Sequence, residues 1–425
     1  MRNRSNLFGR IDGLTLALYV FLLIFGWINI YATVNLEIDG FSWDWTNQAG
    51  RQLIFIGFGS LIIFLLLLSD ARVYEVIAIP IYGATIILLI CVLFFGVEVG
   101  GQKNWLSLGS FRIQPSEFMK LGTIMIVARI LSKKDVELKK WKHRWLPFLC
   151  VAFPIFLILL QPDTGSALVF VGFIFVLYRE GLPGYFIYTG IGLLIVSVLA
   201  LALEMKTAIL IILFFSLVAF IIDRSKKRIR FYDFIKHPII LFSSIAIVYA
   251  QLVNIILPLL APHHQVRIKL LFGQLEDKSA IGYQTAQSLI AIGSGGLFGK
   301  GYMNGTQTKL NFVPEQTTDY IFCTVGEEWG FLGSSLLIIL FTVLIFRIMF
   351  RAEKHKSSFR RIYSYSFASM IFVHFFVNVG MTLGLVPTVG IPLPFISYGG
   401  SHLMAFSFML FLYLNFDAQR LVSDI

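Results

Sequence analysis

Charged side chains are scarce in this chain, and their scarcity excludes a water-soluble globule. Only 14% of the 425 residues are Asp, Glu, Lys or Arg, whereas 57% are hydrophobic. A soluble domain carries about 25% charged residues, so this chain has too little polar surface to face water. The composition indicates a protein whose outer surface faces lipid.

Cysteine is also scarce. The three cysteines, Cys91, Cys150 and Cys323, lie in or beside apolar runs and form no spaced pattern. They are predicted to pack as small apolar residues, which disfavours a disulfide framework or a cysteine metal site. His263 and His264 lack a convincing third ligand, so no zinc site is predicted either.

Long apolar runs, by contrast, recur along the whole chain. A helix that crosses roughly 30 Å of hydrocarbon needs about 20 mostly apolar residues. We therefore predict one integral membrane domain, residues 1–425, built as an all-α polytopic transmembrane bundle of about twelve spans. The predicted spans are Leu14–Thr33, Leu53–Leu68, Val76–Val97, Pro115–Ile130, Pro147–Leu160, Ser166–Tyr178, Tyr185–Leu203, Ala208–Ile222, Pro238–Leu260, Tyr320–Phe346, Tyr363–Leu385 and Ser401–Phe416.

Basic residues cluster at the N-terminus and in three connectors between these spans. The clusters are Arg2, Arg4 and Arg10; Lys133, Lys134, Lys139, Lys140, Lys142 and Arg144; Arg224, Lys226, Lys227, Arg228 and Arg230; and Arg347, Arg351, Lys354, Lys356, Arg360 and Arg361. If the chain changes sides at every span, all four clusters fall on one face. Short basic connectors mark the cytoplasmic face, so both termini are predicted to be cytoplasmic. The net charge of +11 therefore does not indicate a nucleic-acid partner.

Helical periodicity breaks at Gln161–Gly165 and Met381–Pro394, and Glu98–Arg112 is a third irregular segment. Non-helical backbone at membrane depth persists only where protein or a water-filled cavity satisfies its polar groups. The predicted topology places all three segments on the outer side. A site that works on the outer half of the bilayer follows from this asymmetry.

One connector, Pro262–Thr317, is a long extracytoplasmic loop. Loops of this length are usually functional. Its middle, Ile281–Ile292, is predicted to form a short amphipathic helix that leads into the glycine-rich Gly293–Gly301. This turn lacks the preceding strand and the spacing of a phosphate-binding loop.

The acids of this region are candidates for acid–base chemistry. They are Glu276, Asp277, Glu315 and Asp319. A carboxylate at the membrane boundary can act as a general base on a sugar hydroxyl, but solvation or helix capping explains a loop acid equally simply. Asp319 directly precedes a predicted span, where it would serve as an N-cap.

Ionisable residues inside the spans are more informative, because charge in a bilayer is costly and usually functional. Glu117 and Lys120 are three residues apart, so they share a helix face and can neutralise each other. Both structural pairing and the lining of a substrate cavity remain open for them. For Asp163, in a helix break, capping competes with ligand binding.

Three further polar residues fall in the last two spans. His374 and Asn378 lie one turn apart and are predicted to form hydrogen bonds between helices. His402 fits either a structural or a functional role.

Short motifs run in order through most of the chain. They are Phe111–Lys120, Gln161–Gly165, Ile281–Tyr283 with Gln287–Ser288, Pro314–Phe322, Gly326–Gly330 and Gly390–Ser401. Together they resemble the SEDS family of membrane proteins (shape, elongation, division and sporulation), which includes RodA and FtsW. Within that family, Gly299–Gly301, Gly305–Gln307 and Leu310–Glu315 resemble RodA more than FtsW.

The resemblance implies a peptidoglycan glycosyltransferase of the bacterial cytoplasmic (inner) membrane. It would polymerise lipid II into β-1,4 glycan strands at the outer face, for cell elongation and rod shape. It implies a crosslinking partner, a class B penicillin-binding protein with transpeptidase activity, as well as surrounding membrane lipids. Since the family usually has about ten spans, an extra pair is expected between Tyr185 and Ile222.

The resemblance also implies site residues. Asp277 takes the position of the family's essential aspartate, with Lys278 where relatives often have proline, and Glu276 is the second choice. Asp277 is the expected general base. The expected substrate-binding residues are Arg112, Glu117, Lys120, Asp163, Lys309 and Ser397. Cationic groups or a divalent cation, Mg²⁺ or Mn²⁺, would stabilise the pyrophosphate leaving group, although the sequence identifies no dedicated metal site.

Two other classes of function compete with the enzyme. A lipid II flippase would also have buried polar residues and broken helices, but it needs access from both faces, whereas the irregular and ionisable residues here crowd the outer side. A non-catalytic scaffold for the crosslinking partner predicts that no single loop acid is essential.

Overall fold

The computed structural model describes residues 10–34, 44–99, 101–109, 111–203, 205–226, 238–256, 265, 280–310 and 312–421. The chain is mostly helical. The helices are α1 (Gly13–Val34), α2 (Gln48–Leu68), α3 (Ala71–Phe95), α4 (Pro115–Leu131), α5 (Trp141–Leu159), α6 (Thr164–Val169), α7 (Phe173–Arg179), α8 (Tyr185–Ala202), α9 (Met205–Lys226), α10 (Pro238–Ile256), α11 (Ala280–Ser294), α12 (Thr306–Lys309), α13 (Ile321–Ala352), α14 (Ser358–Thr382) and α15 (Gly400–Ala418).

Each predicted span coincides with one helix, apart from Ser166–Tyr178, which α6 and α7 share. A 3₁₀ turn at Phe170–Gly172 separates these two short helices. Among the described residues, six helices are long and apolar enough to cross a membrane: α1, α3, α5, α8, α13 and α14. The chain is therefore a multi-pass helical membrane protein; the total of about twelve spans and the side on which the termini lie stay predictions.

The described chain divides into two compact units. The larger comprises residues 1–182 and 284–425, and the smaller residues 183–283. In the larger unit, α4, α14 and α15 form the centre, since most of their side chains are buried. In the smaller unit, α8, α9 and α10 pack through small and branched side chains: Val196, Ala200, Ile212, Ala246 and Ala250.

A small antiparallel sheet occupies the segment Glu98–Arg112, which the all-α prediction did not include. Its strands are β1 (Val97–Val99), β2 (Gln102–Leu108) and β3 (Phe111–Ile113), in the order β1-β2-β3. Gly101 and Gly109 lie in the two tight turns with φ of 79° and 64°, a conformation that glycine adopts without steric cost. The sheet leads directly into α4.

The two predicted helix breaks lie against each other. An added Cβ at Gly165, at the start of α6, would lie 2.3 Å from the carbonyl oxygen of Val389. Because no side chain fits between them, the backbones of the two breaks are in direct contact. This contact sets the position of both segments around the polar centre of the larger unit.

We expect Gly165→Ala to lower the free energy of unfolding by about 1–3 kcal/mol, because the methyl group must push the two breaks apart. Gly57→Ala in α2 is the matched control, since no heavy atom lies within 4 Å of its added Cβ. It should be neutral or stabilising by up to about 1 kcal/mol. Thermal unfolding of the purified variants in detergent measures both, and equal stability of the two would contradict the close contact.

Two arginines that were assigned to a basic connector lie inside a helix instead. α13 continues to Ala352 and so includes Arg347 and Arg351. Arg347 Nη2 lies 2.7 Å from Asp12 Oδ1, and Arg351 bridges Asp12 and Asp417. These ion pairs join the end of α13 to α1 and α15, and they neutralise part of the basic face.

Candidate functional site

The first two candidate residues form a buried ion pair on α4. Pro115 begins this helix and places Glu117 in its first turn. Lys120 Nζ lies 2.7 Å from Glu117 Oε1, and the two residues are 0% and 2% exposed. The pairing that the three-residue spacing predicted is confirmed.

Two histidines from distant helices complete this cluster. Lys120 Nζ lies 3.0 Å from His374 Nε2, whose other ring nitrogen lies 3.0 Å from the carbonyl oxygen of Pro392. A carbonyl only accepts hydrogen bonds, so His374 Nδ1 carries the proton and Nε2 accepts from the ammonium. His402 Nδ1 donates in the same way to Glu117 Oε2, at 2.8 Å.

The cluster is enclosed on its apolar side by Phe406. The ring of Phe406 lies 4.8 Å from that of His374 and 4.6 Å from that of His402, measured between centroids, with Lys120 Nζ 5.5 Å from its centre. His402 Nε2 is buried and makes no hydrogen bond within the described part of the chain. This nitrogen could therefore accept a hydrogen bond from a further donor.

Asp163 joins three segments of the larger unit: β2, the start of α4 and the start of α6. Its Oδ1 accepts from the backbone N–H of Ser166 at 2.9 Å, which caps α6. Its Oδ2 accepts from Ser166 Oγ, Asn104 Nδ2 and Gln114 Nε2 at 2.8, 2.9 and 3.2 Å. The capping role is therefore confirmed, and the carboxylate also ties β2 and the start of α4 to the break before α6.

Ser397 fixes the Gly390–Ser401 segment from within. Its hydroxyl donates to the carbonyl of Thr318 at 2.5 Å and accepts from the backbone N–H of Leu393 at 2.8 Å. The residue is 1% exposed. The hydroxyl thus joins the segment before α13 to the segment before α15.

Arg112 and Lys309 lie apart from the buried cluster. Arg112 is exposed on β3, and its carbonyl accepts from Ser401 Oγ at 3.4 Å. Lys309 ends the short helix α12 and is half-buried, close enough to Glu328 to attract its carboxylate. These two cations are the more accessible of the six expected substrate-binding residues.

The expected base, Asp277, and its alternative, Glu276, lie outside the described residues. Helix α11, Ala280–Ser294, confirms the predicted helix in the middle of the long loop. Asp319 does not occupy the cap of the following helix, because Tyr320 stands at that position. The carbonyl of Asp319 accepts instead from Asn378 Nδ2 at 2.7 Å.

Comparison with known proteins identifies the chain. A sequence model described as cell cycle protein, covering FtsW, RodA and SpoVE, matches residues 13–206 and 178–421. The chain belongs to the FtsW/RodA/SpoVE family. This is the SEDS family that the motifs indicated.

Curated members of the family match nearly the whole chain. The peptidoglycan glycosyltransferase MrdB of Escherichia coli K12 is 32% identical over 93% of this chain and 90% of its own length. The stage V sporulation protein E of Bacillus subtilis is 30% identical over 92% of this chain and 93% of its own length.

Solved structures of family members share the fold. A chain of a peptidoglycan synthase complex, solved to show the coordination of polymerization and crosslinking, has a TM-score of 0.70 and 25% identity over 96% of this chain and 98% of its own. The Rod shape determining protein RodA of Thermus thermophilus has a TM-score of 0.62 at 25% identity, over 96% and 97% of the two chains.

The family motif Gly326–Gly330 contains two glutamates to which no role was assigned from the sequence. Glu327, fully buried, accepts from Lys300 Nζ at 2.7 Å and from the backbone N–H groups of Gln307 and Thr308 at 2.9 Å. It thereby fixes the second half of the long loop on α13. The sequence signal for this contact was the presence of Glu327 in a family motif that follows the glycine-rich part of the long loop.

Glu328, the second glutamate of that motif, is 1% exposed, and its carboxylate oxygens make no hydrogen bond of normal geometry within the described chain. Tyr302 lies nearby in the loop. Burial and the charge of Glu328 raise the pKa of Tyr302 to about 12, so its phenol stays protonated and donates. A buried carboxylate beside the backbone N–H of Met303 and a cation such as Lys309 is suited to hold a polar ligand group.

Proposed function

We propose that the chain is a peptidoglycan glycosyltransferase that polymerises lipid II at the outer face of the bacterial cytoplasmic membrane. The observation that carries this proposal is its 32% identity, over 93% of the chain, to a relative named as a peptidoglycan glycosyltransferase. The shared fold with the synthase-complex chain supports it. The similarity to RodA motifs favours a role in cell elongation over one in division.

The proposed reaction is a single in-line displacement with inversion. Lipid II presents a sugar α-linked to polyprenyl pyrophosphate, whereas the polymer is β-linked. The acceptor 4-hydroxyl loses its proton to Asp277, its oxygen forms the new bond to the anomeric carbon, and the pyrophosphate leaves with the bonding electrons. A positioned carboxylate suits the proton transfer, and the leaving group needs positive charge nearby.

Arg112 and Lys309 are the proposed contacts of the pyrophosphate, because both are at least partly accessible. Glu117 and Lys120 are proposed to bind the substrate deeper in the bundle, which requires the side chains that enclose them to part. Asp163 and Ser397 would support these contacts by holding the surrounding segments in place. Their hydrogen bonds across α4, α6, α13 and α15 suit that role.

A divalent cation, Mg²⁺ or Mn²⁺, is a further proposed source of positive charge at the leaving group. The part of the chain that the structure describes holds no group of three or more His, Cys, Asp or Glu side chains suited to a metal ion. Arg112 and Lys309 are proposed to stabilise the leaving group with or without such a cation.

The proposed partner is a class B penicillin-binding protein that crosslinks the new strands. The solved relative belongs to a complex described as coordinating polymerization and crosslinking, which supports a similar assembly here. A partner of this kind would receive the glycan strand where it leaves the polymerase.

The decisive experiment incubates the purified chain, with and without its transpeptidase partner, with fluorescent lipid II. We expect a ladder of glycan strands that lysozyme digests to short fragments. A flippase would instead move labelled lipid II between the leaflets of sealed vesicles without forming a ladder. Transport without polymer in the presence of the partner would reject the enzyme, and neither activity would favour the scaffold.

A further inference from the structure

A basic pocket of about 750 Å³ lies at the opposite end of α4 from the candidate site. Its walls come from three helices: the first turns of α3, the last turn of α4 and the first turn of α14. The lining residues are Arg72, Glu75, Val76, Arg129, Ser132, Lys133, Lys134, Ser357 and Arg360. Five of them are cations, and Glu75 is the single carboxylate among them.

Unlike the nearby arginines of α13, these five cations are not paired with carboxylates in the part of the chain that the structure describes. No ion pair found in the described chain includes any of the five, whereas Arg347 and Arg351 are paired with aspartates. Arg129 donates to the backbone carbonyls of Glu75 and Val76, and Arg360 to that of Gln419. Carbonyl groups orient a guanidinium without cancelling its charge.

The N-terminus of α14 adds to the positive charge of the pocket. Ser357 occupies the N-cap of α14 but makes no capping hydrogen bond through its side chain. The first N–H groups of a helix then favour an anion placed against them. Asp70 caps α3 nearby through its side chain and reduces, but does not balance, the surplus of positive charge.

The pocket adjoins an apolar strip on α3. Val73, Val76 and Ile79 are 48%, 68% and 55% exposed, and Val76 lines the pocket itself. Exposed valine and isoleucine on a helix of this hydropathy are suited to lipid chains. A ligand with a phosphate head and acyl tails would match the pocket and the strip together, whereas a free phosphate would use only the pocket.

We infer that this pocket binds the phosphate headgroup of an anionic membrane lipid, with the acyl chains along α3. The predicted topology places it on the cytoplasmic side, where basic pockets between helices are suited to anionic headgroups. The inference does not rest on the proposed glycosyltransferase activity. A lipid held there would join the ends of α3, α4 and α14.

Native mass spectrometry of the purified full-length chain tests this, with phosphatidylglycerol and phosphatidylcholine of the same acyl chains as probes. Wild type should retain phosphatidylglycerol preferentially. Lys133→Gln/Lys134→Gln should weaken that binding by about 25-fold, since each cation near a headgroup contributes about five-fold. Both lysines are exposed, and thermal unfolding of the apo-variants checks that the fold is retained.

The matched control is Lys139→Gln/Lys142→Gln, which removes the same charge from the end of the same connector and the first turn of α5, outside the pocket lining. It should leave phosphatidylglycerol binding within about two-fold of wild type, because contributions fall off with distance from the headgroup. If both double variants weakened phosphatidylglycerol binding equally, general surface charge would explain the effect and the proposed site would be wrong.

Two further results would also overturn the assignment. Displacement of the lipid by millimolar glycerol 3-phosphate would show that the acyl chains contribute nothing. Retention of a hexaglutamate peptide in place of phosphatidylglycerol would assign the pocket to an acidic protein segment.

Discussion

Glu117→Gln is expected to lower the free energy of unfolding by about 3–5 kcal/mol, because it leaves the ammonium of Lys120 buried without a counter-charge. Lys120 is 0% exposed and cannot reach water. It must therefore either keep an uncompensated charge or lose its proton, and both cost free energy. Thermal and denaturant unfolding of the purified protein in detergent would measure the loss.

A second substitution separates the structural role of the pair from its proposed role in binding. Lys120→Met in the Glu117→Gln background removes the stranded charge and keeps a side chain of similar length. Stability should recover, since replacing both members of a buried pair by neutral residues is often close to neutral. Polymerisation of lipid II should stay lost if the pair binds substrate. Recovery of both would make the pair purely structural.

The chain provides a control with the same residue types at the same spacing. Glu137 and Lys140 are also three residues apart, with 3.0 Å between Lys140 Nζ and Glu137 Oε2, but their side chains are 56% and 62% exposed. Glu137→Gln should leave unfolding unchanged within error, because exposed pairs contribute little. A comparable loss at both sites would show that burial is not the cause.

The Glu117–Lys120 pair shows how far the sequence carries the prediction. Its spacing on a helix was enough to predict the contact, because neighbours on one helix face are fixed by the helix period. The other partners of this pair could not be predicted from the sequence. His374 and His402 are 254 and 285 residues away along the chain, and only the packing of α14 and α15 against α4 brings them together.

The same distinction holds for the fold. Apolar runs predicted each span-length helix of the described residues, because a helix that faces lipid must satisfy its own backbone and carry apolar side chains. The sheet before α4 was missed, since strands of three and seven residues leave almost no periodic signal. The contact between the two helix breaks was missed because it joins backbone to backbone at Gly165 and Val389, where no side-chain pattern records it.

The charged residues at the two ends of α4 are accommodated differently: one charge is neutralised by an ion pair and the other is not. At its N-terminal end, Glu117 neutralises Lys120 within a closed cluster. At the other end, Arg129 donates to backbone carbonyls, forms no ion pair among the described residues and lines the basic pocket. A cluster already neutral needs a conformational change before it binds a charged substrate, whereas a pocket with surplus charge can bind an anion as it stands. A charged substrate should therefore bind more slowly at the Glu117–Lys120 end than an anion binds at the pocket.

Asp277→Asn is expected to reduce polymerisation of lipid II by about 10²–10⁴-fold, the usual contribution of a positioned general base. Asparagine is close to aspartate in shape, so the protein should elute and unfold like wild type. In wild type the rate should fall as the pH is lowered and the carboxylate becomes protonated. That acid limb should be absent from the residual activity of the variant. A time course of glycan ladders at several pH values, with the crosslinking partner present, would measure both effects.

Glu276→Gln is the matched control for this prediction, because it removes a neighbouring carboxylate from the same loop. It should retain activity within a few-fold of wild type if Asp277 holds the position of the family's aspartate. Because the resemblance implies proline at the position of Lys278, a shift by one residue is the specific alternative. In that case Glu276→Gln would be inactive and Asp277→Asn active. Full activity of both variants would remove Glu276 and Asp277 from the chemistry and leave the buried carboxylate of Glu328 as the next candidate base.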